Sequence, residues 1–221
     1  MPKYDERLLS DFANRFLGYG SLKSNIWLIG PEQGGVGTID DLYWRASLWS
    51  KRGEKETEDL HSYHADLKAV AIANAEVSEG ASHAATLKLS KFDWTRNIQP
   101  TWGPLIRVIL ALNGEKAETQ DVKDFQKREL GGVDGENCVL DLNALSSPRQ
   151  SEWKQIGESG LRWLRTREQC EEHLAPLRCD LLRKRLARYK PCLVLFYGLS
   201  HKHWWERSSL QRIRVSGRYR S

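Results

Sequence analysis

No apolar run in these 221 residues approaches the length of a membrane span, and the N-terminal MPKYDERLL has no apolar stretch for a secretory signal. Both absences predict a soluble, cytosolic chain with no membrane partner. Cysteine is scarce: Cys138, Cys170, Cys179 and Cys192 form no C-x-x-C pair, so the common zinc and iron–sulfur spacings are missing. Cys138 and Cys192 lie in apolar runs and read as small core residues. His61 and His64, near Asp59 and Asp66, have no third ligand at a suitable spacing, and no metal is expected. Nucleotide and hydrolase signatures are absent too. A phosphate loop needs Gly-x4-Gly-Lys-Ser/Thr, whereas Gly30-Pro-Glu-Gln-Gly-Gly35 runs into Val36. A dinucleotide loop needs Gly-x-Gly-x-x-Gly, whereas Gly35-Val-Gly37 runs into Thr38. No Gly-x-Ser-x-Gly elbow occurs, and there is no internal repeat or low-complexity tract.

What is present fits a single domain over 1–221. The formal charge of +5 is modest, but basic residues crowd the C-terminal third, from Arg162, Arg165 and Arg167 through Arg183, Lys184 and Arg188 to Arg218 and Arg220. That crowding suits a polyanionic partner as well as it suits a solvated helix face with a frayed tail. Nine tryptophans are many for this length. Most read as core anchors, and a few as stacking surfaces for flat ligands.

Apolar spacing predicts a helix over 4–18, halted by the Gly18-Tyr-Gly20 stretch, and helices near 38–50 and from 58 to about 77. The 51–93 region is a candidate helical insertion. Thr101-Trp-Gly-Pro104 opens an amphipathic helix with Leu105, Ile106, Ile109, Leu110 and Leu112 inward, stopped by Asn113-Gly114. Further helices are expected over 119–130 and 168–189, the latter with Leu174, Leu177, Leu181, Leu182 and Leu186 on one face. Pro176 should start or kink that helix. Residues 207–221 read as a basic, disordered tail. Strands are expected at Ile26 to Ile29, Cys138 to Leu142 and Cys192 to Tyr197, with a short helix after Gly198.

Continuous apolar strands separated by long helical stretches predict a mainly parallel sheet covered on both faces, a three-layer α/β/α sandwich. Ligands of such sheets sit beyond the C-terminal strand ends. Here the first strand runs into Gly30-Pro31-Glu32, the second into Asn143 and the third into Gly198-Leu-Ser200-His201. Glycine lets backbone approach a ligand closely and leaves N–H groups free for it. Gly30, Pro31, Gln33, Gly34, Gly35, Gly198, Ser200 and His201 are therefore candidate phosphate or ligand contacts, with the Glu32 carboxylate at the loop mouth.

The order of these segments resembles the uracil-DNA glycosylase superfamily, above all its poorly characterised bacterial members. It runs from Gly30-Pro31-Glu32-Gln33-Gly34 to a helix opened by Gln99-Pro-Thr-Trp102, then to VLDLNALSSPR and VLFYGLSHKHWW. The resemblance covers roughly Asn25 to Trp205 and implies a monomer that hydrolyses the N-glycosidic bond of a damaged or deaminated base in DNA. It implies that Glu32 orients or activates water and that Asn143 reads the base edge. A stacking aromatic is needed as well, and Trp102, Tyr43 and Trp44 are the candidates, Trp102 being favoured. An anion near the sugar suits the oxocarbenium-like state of such cleavage, and hydrolysis needs only water, so no cofactor is expected. The family's further His-Pro loop after a fourth strand has no counterpart. Arg212-Ile-Arg-Val215 would begin that strand, and the chain's end reads as shortened or diverged. His201 or His203 would then supply the cation near the site, the alternative being that they cap or flank a short helix. Two alternatives stay open: an inactive nucleic-acid-binding protein of the same fold, and a nucleotide or nucleoside hydrolase using the same crevice.

Overall fold

The structure is a computed structural model, and it describes residues 4–34, 39–77, 97–147, 153 and 161–209. Helix α1 (Glu6–Arg15) starts where Asp5 accepts the Leu8 amide at 3.0 Å, which meets one orphan donor of the first turn. Strand β1 (Gly18–Gly20) and the long β2 (Ile26–Gly34) follow, then α2 (Ile39–Lys51), the two-residue β3 (Thr57–Glu58) and α3 (Leu60–Val77). After these come α4 (Trp102–Leu112), α5 (Thr119–Arg128), β4 (Asn137–Ser147), α6 (Arg167–Tyr189), β5 (Leu193–Phe196) and α7 (Lys202–Ser208).

The five strands form one mostly parallel sheet in the order β3-β1-β4-β2-β5. β2 pairs parallel with both β4 and β5, whereas β1 runs antiparallel to β4. Side chains of a strand alternate between faces, and both faces here are apolar. Ile26, Leu28, Val139, Leu193 and Leu195 join the core built with α1 to α5. Trp27, Ile29, Cys138, Leu140, Leu142, Val194 and Phe196 join the core beneath α6 and α7. Helices therefore cover the sheet on both sides, as the continuous apolar runs required. No helix among the described residues is long and apolar enough to cross a membrane.

Several expectations need correction. β1 and β3 were not foreseen. They are too short to show a period, and β1 exists because glycine lets it lie tightly on β4: a Cβ on Gly18 would sit 2.2 Å from the Val139 carbonyl oxygen. The stretch Gly30–Gly34 is not a bare loop. It continues β2, and β4 likewise runs past Leu142 to Ser147, so each extension satisfies the other's backbone. Pro176 sits inside the continuous α6 rather than at its start. Proline removes the donor that would meet the Glu172 carbonyl, and Glu172 lies on an exposed turn where that loss is mild. Leu112 and Leu177 point outward, 60% and 54% exposed, and Cys192 is exposed, not core.

Arg178 explains how α6 holds the sheet despite its proline. It is fully buried, yet it donates to four backbone carbonyls: Leu142 at 2.9 Å, Asp141 at 2.6 Å, Phe16 at 2.6 Å and Ala13 at 3.2 Å. One side chain thus ties α6 to β4 and caps the C-terminal end of α1, where a cation is favoured.

Candidate functional site

In the C-terminal halves of β2 and β4 the register puts Glu32 opposite Asn143. The two line one cleft with Pro31, Leu142, Arg167, Glu171, Leu174, Ala175 and His201. Residues from all three apolar strand ends therefore meet, which is the arrangement expected of an open parallel sheet. Asn143 lies within β4 rather than at its end; its Oδ1 accepts the Leu145 amide at 3.0 Å, and its amide nitrogen faces the Cys170 sulfur at 3.9 Å. Gly198 brings the third strand's end against the first. Its φ is +80°, and a Cβ there would stand 3.0 Å from the Pro31 ring. Ser200 is exposed and its hydroxyl lies 2.9 Å from the His201 Nδ1. Gln33 and Gly34 continue β2, and Gly35 lies outside the described residues.

Arg167, unforeseen, dominates the cleft. Its Nη2 donates to the Glu32 carboxylate, the two side chains being 16% and 19% exposed. Nη1 is buried and finds no hydrogen-bond partner among the described residues. The guanidinium stands 5.7 Å from the centroid of the Trp153 ring. Arg167 opens α6, where Thr166 accepts the Gln169 amide at 3.2 Å. A cation in a first turn opposes the helix dipole, so the pairing with Glu32 is what this position serves. The cleft spans about 330 Å³, mouth included, but its closed part has room for about one water.

Behind Glu32 lies a second polar group. Asp141 is 3% exposed and sits opposite Gly30 in the sheet. Tyr197 lies across Gly30, where a Cβ would come within 2.2 Å of its ring. Glycine is thus required for the ring to cross the strand. The Tyr197 hydroxyl donates to Asp141 and takes a hydrogen bond from Trp102. Burial pushes the Asp141 carboxyl up to about 7; Arg178, the Tyr197 hydroxyl and Arg45 oppose that rise, and the Glu32 charge adds to it. Burial and the Asp141 charge also drive the Tyr197 hydroxyl well above its usual range. Trp102 is consequently half-buried on the core above this pair and does not line the cleft. Tyr43 packs edge-on against Tyr4, 5.6 Å between centroids. An acid inside the apolar run VLDLN was the one sign in the sequence that pointed to Asp141. Nothing local announced Arg167.

The basic residues of the C-terminal third sort into three groups. Arg167, Arg178, Arg185 and Arg207 are engaged by Glu32, backbone carbonyls, Glu56 and Asp180. Arg183, Lys184, Arg188 and Lys190 are exposed at the far end of α6, and Arg162 and Arg165 at its near end. Residues 210–221 lie outside the described residues. His61 and His64 belong to α3; His64 is buried beside Tyr19, 5.2 Å between ring centroids. A wider recess of about 1010 Å³ lies at the opposite ends of β2 and β4, with Asp59, Glu129, Asp134 and Glu136 on its walls.

No family model, curated protein or solved structure matches this chain.

Proposed function

We propose that the chain is a monomeric, cytosolic DNA base-excising hydrolase of the uracil-DNA glycosylase kind. One observation carries this reading: Glu32 and Asn143 are register partners in the C-terminal halves of adjacent parallel strands and share a cleft with His201. In the proposed reaction a flipped nucleotide enters that cleft. Asn143 holds the edge of its base, Glu32 orients a water toward C1′ and its charge favours the oxocarbenium-like state. The C1′–N bond breaks, water oxygen joins C1′, and the base leaves with a proton; His201 stands where it can meet that base. Four free cysteines accord with a reducing compartment. The Arg167 guanidinium must swing away from Glu32 for the base to enter, because the closed cleft is too small for one.

The same ion pair favours a second reading, a nucleic-acid-binding protein of this fold without turnover, in which Arg167 keeps Glu32 occupied. Alkali-induced strand breakage separates the two. End-labelled oligonucleotides carrying uracil, hypoxanthine or ethenoadenine are incubated with the folded chain and with Glu32→Gln. Cleavage at one lesion, slowed at least about 100-fold in Glu32→Gln, supports excision. Binding without cleavage by either protein gives the second reading.

A further inference from the structure

Residues 161–165, which lead into α6, form a shelf at the cleft's rim that is tied to the core. Leu161 and Leu164 are buried, Leu164 donates its amide to the Leu161 carbonyl at 3.1 Å, and the Trp153 indole N–H donates to the Leu164 carbonyl at 3.0 Å. Between these anchors Arg162 and Arg165 stand exposed, and neither forms an ion pair or side-chain hydrogen bond among the described residues. Trp163 is half-buried and stacks on the exposed His173, 5.3 Å between centroids and 26° between planes. Two residues beyond Arg165, Arg167 lines the cleft itself. Exposed Glu168 and Glu172 on the first turns of α6 repel phosphate and bound the shelf on that side.

Two cations with no ion pair among the described residues, beside a stacked ring pair and on backbone tied to the core, match the needs of an unpaired polynucleotide. Cations take its phosphates, and aromatic faces take bases whose own faces are free. A duplex hides those faces within its stack. We propose that Arg162, Arg165 and the Trp163–His173 pair form the shelf on which a single, unpaired strand of nucleic acid lies as it enters the cleft. The identity of the polymer rests on the base-excision reading; the location and the strand preference rest on the shelf.

The other basic patch, at Arg183 and Lys184, provides the control. It lies about 24 Å from Arg167 along the helix, so reversing charge there changes the net charge equally without touching the shelf. Binding of an undamaged fluorescent 25-mer, single-stranded or as a duplex, would be followed by anisotropy at several salt concentrations. The proteins compared are wild type, Arg162→Glu/Arg165→Glu, Arg183→Glu/Lys184→Glu and Trp163→Phe/His173→Ala, each checked for folding by circular dichroism. The shelf requires tighter single-strand than duplex binding by wild type. It also requires about a tenfold or greater loss in the first double variant, a shallower salt slope, and no more than about threefold loss in the second. Loss of about three- to tenfold is expected in the ring variant. Equal losses in both charge variants, preference for duplex, or no binding by folded wild type overturns the proposal. Shelf-dependent binding without lesion cleavage would sustain the shelf and defeat excision; cleavage with shelf-independent binding would do the reverse.

Discussion

Arg178 shows how much one buried side chain can organise. Its guanidinium lies where no water reaches, and burial pulls its pKa down to about 10 while Asp141 partly restores it; it therefore stays charged at neutral pH. Arg178→Met would fit the apolar stem but remove the donor shared by four carbonyls and leave Asp141 without its nearby cation. We expect a loss of about 3 kcal/mol or more, read as a lower urea midpoint at unchanged slope. Asp141 contributes in the opposite direction as pH rises. Its carboxyl is raised from about 4 in the unfolded chain to about 7 in the fold, so folding favours the protonated form. That stabilisation is complete below about pH 4 and is lost between about pH 4 and pH 7. Asp141→Asn keeps the shape without the proton equilibrium, and its stability should lack this decline across the same window. A parallel decline in both proteins would show that other groups cause it.

Among the elements, α6 carries the most conflicting signals. Its apolar residues outline the core face, but Leu177, which the spacing assigns to that face, points to solvent. The expectation that Pro176 starts or kinks the helix meets a helix that runs on through it, where Leu174, Ala175 and Cys179 are buried in the core and Arg178 is anchored to the sheet. Local preference is a weak prior against such packing. Restoring the missing donor by Pro176→Ala should raise stability by about 2 kcal/mol, seen as a higher thermal midpoint. A fall would mean that the proline ring itself fills a need in the core. The strands β2 and β4 exceed the apolar runs that mark them for a related reason. Gly30–Gly34 has no strand propensity, and only the continuation of β4 beside it supplies the ladder that makes it strand.

For the whole molecule, protection should follow position in the sheet. β4 and β2 are interior strands covered on both faces, whereas β3 and β5 form its edges. Amides of Val139–Leu142 and Trp27–Ile29 should therefore exchange slowest with solvent, and those of β5 and α7 sooner. Native-state hydrogen exchange tests this, and the same rate in β5 as in β4 would contradict it. The layered architecture was legible in the chain, because continuous apolar strands between amphipathic helices have only one way to hide both faces. Glu32, Asn143 and His201 could also be placed near one another, since strand ends of a parallel sheet share one edge. The partner of Glu32 could not. Arg167 lies 135 positions away, and periodicity encodes which side of an element is buried, not what it is buried against. Arg178, Asp141 with Tyr197, and the displacement of Trp102 from the cleft have the same origin: each is decided by contacts between distant segments that exist only once the layers close.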